Sequence, residues 1–212
     1  KRDNEKVIIV FYEDLLDHIS HLYGPNSLSY TKYLKSVDNR LYCLLTRYLT
    51  NCKDRVGIVI FSDHSQVEYV SHIDILAIFD RYGIKIPDDI IPFVDATLAI
   101  IYVQKENIME KLISVFSKIP TVRIITRENA HAFALDFPNR MYGDLFVILK
   151  PGYTFIPNFY SRTPMQGLHG YLPKDSVQKG YIIGNSNLVQ DLDHVRDIKK
   201  LLVDLMPMTL VY

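Results

Sequence analysis

Short apolar runs, each followed by a longer stretch with helical spacing, constrain this chain more than any other feature. Lys6–Tyr12 (KVIIVFY) and Arg55–Phe61 (RVGIVIF) are almost continuously apolar, the pattern of strands covered on both faces. Between them, Ser27–Leu49 places Tyr30, Leu34, Val37, Leu41, Leu44, Leu45 and Tyr48 at helical intervals. Strand, helix, strand is a βαβ unit, because parallel neighbours need a crossover of this kind. His72–Tyr82 reads as a further helix, stopped by Gly83 and Pro87. The alternation continues with Ala96–Val103 as strand, Lys105–Lys118 as helix, and Thr121–Thr126 and Phe146–Lys150 as strands. Asp191–Leu205 reads as the last helix. The expected class is α/β, a mostly parallel central sheet flanked by helices. The expected organisation is a single domain over residues 1–212, with a smaller inserted subdomain over 84–140.

Composition removes several alternatives. Hydrophobic residues make up 48% of the 212, enough apolar surface to offset chain entropy, so a disordered chain is excluded. With 24 Lys+Arg against 24 Asp+Glu and no basic run longer than two, nucleic-acid binding is not expected. No apolar run approaches the roughly 18–20 residues of a membrane span, and no apolar core follows a basic start as in a signal peptide. Two cysteines, Cys43 and Cys52, are too few for a disulfide scaffold, so the expected compartment is the cytoplasm.

In an open α/β sheet the ligand site lies at the carboxyl ends of the strands. Both leading strands deliver an acid and an imidazole there. Asp17-His18-Ile19-Ser20-His21 follows the first, and Ser62-Asp63-His64 follows the second. On a helix, Asp17 and His21 share one face, and His18 points away from them. Carboxylate with neutral imidazole suits zinc or a similar transition metal. The structural alternative is a helix cap at Asp17 and a half-buried His64 with a backbone partner.

These residues carry a resemblance. Leu16–Ser27 (LDHISHLYGPNS) resembles the D-x-x-x-H-x-x-G-P-x-S segment of type I phosphodiesterases/nucleotide pyrophosphatases, in the alkaline phosphatase superfamily. Phe61–His64 (FSDH) resembles that family's S-D-H-G element, with Ser65 in place of the glycine. Gly143–Tyr153 (GDLFVILKPGY) and Gly167–Pro173 (GLHGYLP) resemble its two later elements, in the same order. The resemblance implies an alkaline phosphatase-like fold and a hydrolase of phosphodiester or nucleotide pyrophosphate bonds. It implies two divalent ions, zinc foremost and manganese as the alternative. Asp17, His21 and His169 would hold one ion, and Asp63 and His64 would supply two ligands to the other.

Family members carry an amino-terminal part with one more Asp ligand and the Thr or Ser nucleophile, and nothing ahead of Lys6–Tyr12 is long enough to hold it. The chain is therefore expected to be the carboxyl-terminal portion of a larger catalytic domain. Its sheet should leave an apolar edge that pairs with the missing part or with a second copy. The alternative is a non-catalytic metal-binding or interaction domain that keeps half of an ancestral site. The loops expected to set substrate choice are Asn26–Tyr33, Ser65–His72 and Tyr153–Gln166. In the last, Tyr153, Phe155, Phe159 and Tyr160 either stack on a base or pack the loop onto the sheet.

Overall fold

The computed structural model describes residues 8–52, 56–184, 187–190 and 192–205. Helix α1 (Leu15–Tyr23) leads through Gly24-Pro25 into the long α2 (Leu28–Cys52). Gly24 ends α1 at φ +91°, where its N–H donates to the Ser20 carbonyl at 2.8 Å. Strands β1 (Val59–Phe61), β2 (Val67–Glu68) and β3 (Ser71–Ile73) follow, then helix α3 (Ile75–Arg81). Asp74 caps α3 by accepting from the Ala77 N–H at 2.9 Å, so the helix starts there and the expected start at His72 is a strand instead.

Strands β4 (Ile90–Val94) and β5 (Leu98–Val103), helix α4 (Glu106–Phe116), and strands β6 (Val122–Thr126) and β7 (Leu145–Leu149) form the largest layer. Their sheet runs β4-β5-β7-β6, with antiparallel neighbours throughout. The crossover β5–α4–β6 does join two strands that run the same way, but β7 inserts between them. Alternation in sequence reports the crossover and is blind to that insertion. Pro92 masks β4 in the sequence pattern, and it is tolerated there because β4 is an edge of this sheet.

Strands β8 (Tyr153–Phe155), β9 (Gly167–Leu168) and β10 (Ile182–Gly184) return to the amino-terminal third, and α5 (Val195–Leu205) closes the order. They pair as β3–β8, β2–β9 and β1–β10, of which β3–β8 is parallel. The alternation expected to give a mostly parallel sheet thus gives one parallel ladder among the described residues.

Every side chain of β7 is buried, because both of its faces are covered. Leu145, Val147 and Leu149 face Leu112 and Phe116 of α4 together with Ile75 and Phe79 of α3. Phe146 and Ile148 face Ile125, Ala130 and Leu172 on the other side. This is the period-two alternation of a strand between two layers.

The first apolar run behaves otherwise. Residues 8–12 take up no strand pairing among the described residues, and Val10 and Tyr12 are 75% and 86% exposed. Lys6 and Val7 lie outside the described residues. An apolar run needs a neighbour on each side to become a buried strand, and no described strand is hydrogen-bonded to this one. Arg55 likewise lies outside, and the second run is a strand only over β1.

The Phe116 ring is fully buried and meets Phe79 edge-on, with centroids 6.1 Å apart. Phe116→Ala should cost about 3–5 kcal/mol in urea unfolding, whereas Leu28→Ala on the exposed face of α2 should stay within about 0.5 kcal/mol.

Candidate metal centre

The site is assembled from three places in the chain. Helix α1 contributes Asp17 and His21, one turn apart on the same face, with His21 Nε2 3.2 Å from Asp17 Oδ2. The segment after β9 contributes His169, whose Nε2 is 3.9 Å from Asp17 Oδ1. One donor atom from each of the three lies within 4.8 Å of the others. The loop after β1 contributes His64, which stacks on His169 with ring centroids 3.9 Å apart and an interplanar angle of 13°.

Asp63 stands beside the trio, turned toward its own loop. Its Oδ1 accepts from the His64 N–H at 3.0 Å, and its Oδ2 lies 3.5 Å from His64 Nε2. All five sequence-predicted residues therefore sit in one neighbourhood, with three in mutual ligand reach and two adjoining. His18 is exposed, off the face of α1 that carries Asp17 and His21.

Local packing explains why the trio meets. The β2–β9 ladder lays Gly167 against the last turn of α1, and the Gln166 N–H donates to the His21 carbonyl at 2.8 Å. A Cβ at Gly167 would stand 2.5 Å from the Ser20 carbonyl oxygen and 2.6 Å from its Oγ, so only glycine permits this approach. The Gly167 carbonyl in turn accepts from His21 Nδ1 at 2.7 Å. A carbonyl only accepts, so Nδ1 carries a proton, and Nε2 is the ring nitrogen turned toward Asp17.

His169 is braced from behind. Buried Thr97 donates its hydroxyl to the carbonyls of Gly170 at 2.7 Å and His169 at 3.2 Å. Gln178 Oε1 accepts from the N–H groups of Gly170 and Tyr171 at 3.2 Å each. Sequence reasoning missed Thr97, Gln178 and Gln66, whose amide reaches Asp17. Gly167 lay in a quoted motif, but nothing around Thr97 or Gln178 marks them as supports, since the contact is between distant segments.

The electrostatics favour the neutral form of His169. Burial pushes the His169 pKa below its ordinary value, and neighbouring His64 and His21 add to the shift against the opposing pull of Asp17. Two hydroxyls that flank Asp63 and His64 are engaged within the loops. Ser65 Oγ donates to the Val177 carbonyl, and Ser62 Oγ accepts from the Tyr181 N–H at 3.1 Å.

The loop aromatics divide. Phe155 is fully buried in the core, whereas Phe159 and Tyr160 are exposed and pack against each other, with Phe159 also against Phe93. Residues 28–33 belong to α2, not to a loop.

The profile of the Type I phosphodiesterase / nucleotide pyrophosphatase family matches residues 2–172. No curated protein gives a significant match by sequence. Among solved structures, the chain is similar to murine ectonucleotide pyrophosphatase/phosphodiesterase 5, with a TM-score of 0.64 and 19% identity, covering 80% of this chain and 44% of that one. The human counterpart gives 0.65 and 17%, covering 81% and 45%. Phosphonoacetate hydrolase from Sinorhizobium meliloti 1021, in complex with phosphonoacetate, gives 0.60 and 17%, covering 89% and 49%. These likenesses show a shared alkaline phosphatase-like fold, of which the chain spans less than half the length of each neighbour.

Two outcomes are expected from the site's packing. Gly167→Ala should destabilise the fold by about 1–3 kcal/mol, because the Ser20 backbone has to move; a neutral effect in denaturant titration would contradict the close approach. The second concerns pH. The unfolded chain takes up the His169 proton near the ordinary imidazole value of about 6.5, the folded chain only at lower pH. Between those two values the unfolded state binds more protons, so stability falls as pH falls. With a chelator present, His169→Asn should lose less stability than the parent on going from pH 7 to pH 5, and equal losses would contradict burial as the cause.

Proposed function

The chain belongs to the type I phosphodiesterase/nucleotide pyrophosphatase family, and from that premise we propose that it supplies most of the metal ligands of a phosphodiester- or nucleotide pyrophosphate-hydrolysing site. The observation that carries this reading is the convergence of Asp17, His21 and His169 from opposite ends of the chain. The donor set fits a divalent transition metal. It offers one carboxylate and two imidazoles, one with its Nε2 turned inward by the Gly167 carbonyl and the other held against protonation. Three protein ligands with room for a further group match an open catalytic zinc position, with manganese as the alternative. Asp63 and His64 are proposed as ligands of a second ion.

When bound, two such ions neutralise charge on a transferring phosphoryl group and favour in-line displacement. The chain's own residues do the rest. Asp17 places negative charge between the two imidazoles, His21 is held in one tautomer, and the Thr97 and Gln178 contacts keep His169 in place. Ser62 and Ser65 are engaged in loop packing, which supports a nucleophile supplied from outside the residues described.

The substrate class is a small phosphodiester or nucleotide; one solved neighbour is an inactive variant of the murine protein in complex with AMP. The exposed apolar run at residues 8–12 is proposed to pair with the complementary part of the catalytic domain or with a second copy. The described helices include none long and apolar enough to cross a membrane. Cysteine usage points to the cytoplasm, whereas the murine and human neighbours are named ectonucleotide pyrophosphatases, and nothing in the proposed chemistry depends on compartment.

A second reading, a non-catalytic metal-binding domain, is favoured by one observation: Asp63 is turned to its own backbone and lies outside the mutually close trio. Stoichiometry and activity separate the two readings. Competition with a chromogenic chelator should show zinc binding that His21→Ala and His169→Ala each weaken more than the roughly 10–100-fold typical of outer-sphere partners. Hydrolysis of a chromogenic phosphodiester should be near background for residues 1–212 alone and appear when an amino-terminal part bearing the nucleophile is added. One ion and no activity under both conditions would establish the second reading.

A further inference from the structure

Gln66, two residues beyond His64 in the loop after β1, directs its side chain to Asp17 of α1 rather than into its own loop. Its Nε2 donates to Asp17 Oδ1 and lies 3.3 Å from the Asp17 backbone carbonyl. The opposite amide orientation would set two oxygens against each other, so the contact with the carboxylate fixes which way the amide points. Its Oε1 is then buried without a partner, as is the Ser20 Oγ one turn along α1 from Asp17. Both atoms crowd the position where a Gly167 Cβ would stand, at 2.3 and 2.6 Å. A buried amide oxygen without a partner is unfavourable in its own right, so this arrangement is not explained by packing stability.

We propose that Gln66 is a positioning residue for Asp17. By donating to Oδ1 it fixes the carboxylate plane and leaves the Oδ2 edge, 3.2 Å from His21 Nε2, open to a cation. Its role parallels that of the Gly167 carbonyl toward His21: both are groups behind a ligand that set its direction before an ion arrives. Ligands held in place lose less freedom on binding, which raises affinity without adding a contact to the ion.

The inference rests on the proposed metal site, and the experiment separates the two. Zinc affinity of the 212-residue chain is measured by chelator competition for the parent, Asp17→Ala, Gln66→Leu and Gln66→Met, alongside the cobalt absorption spectrum and the metal-free unfolding midpoint. Leu keeps the volume without a donor, and unbranched Met fits the same cavity should Leu fail to fold. Gln66→Leu and Gln66→Met are expected to lower zinc affinity by about tenfold or more and to alter the cobalt spectrum, with the metal-free midpoint unchanged or raised. Affinity within twofold of the parent and an unchanged cobalt spectrum in either folded variant would overturn the positioning role while leaving the metal site standing. A parent that binds no zinc, or binds it as well after Asp17→Ala, would overturn the metal site and the role of Gln66 with it.

Discussion

The hydrogen bond from His21 Nδ1 to the Gly167 carbonyl, 2.7 Å long, joins the first helix to a strand near the far end of the chain, and the site depends on it. It forms because Gly167 has no Cβ where the last turn of α1 comes closest. Three consequences follow from that one approach. His21 is locked in the tautomer that turns Nε2 inward, the β2–β9 ladder is seated against α1, and His169, two residues beyond Gly167, is carried to Asp17. A larger residue at 167 would push these groups apart together.

Around that contact the protein balances charge with care. Asp17 provides the negative charge, while burial and the neighbouring imidazoles keep His169 from gaining a positive one. A neutral His169 beside the Asp17 carboxylate is what a divalent ion requires of its ligands. The rigid layer behind it, with β7 buried on both faces, holds Thr97 at the head of β5 and so fixes the His169 loop. Burial in the sheet is thereby converted into precision at the site.

Much of this was legible in the sequence, for identifiable reasons. Spacing of four on a helix put Asp17 and His21 on one face, and apolar runs located β5, β6 and β7. The family's ordered segments brought in His169, which no local pattern connects to α1. Other features were not legible. The insertion of β7 between β5 and β6 is a matter of pairing, to which periodicity is blind, and Pro92 disguised β4. The apolar run at residues 8–12 reads as a buried strand and is instead exposed, because burial needs neighbours and none of the described strands provides them. Gln66 and Thr97 make their contacts to distant segments, Gln66 to Asp17 and Thr97 to the His169 loop, and sequence spacing does not report contacts of that kind.

The central claim, that these three side chains form one metal position, is tested most directly by anomalous diffraction at the zinc absorption edge from crystals of the zinc-loaded chain. The account predicts a peak bonded to His21 Nε2, His169 and the Asp17 carboxylate at about 2.0–2.2 Å. Zinc bound elsewhere, or at this place without Asp17, would contradict it.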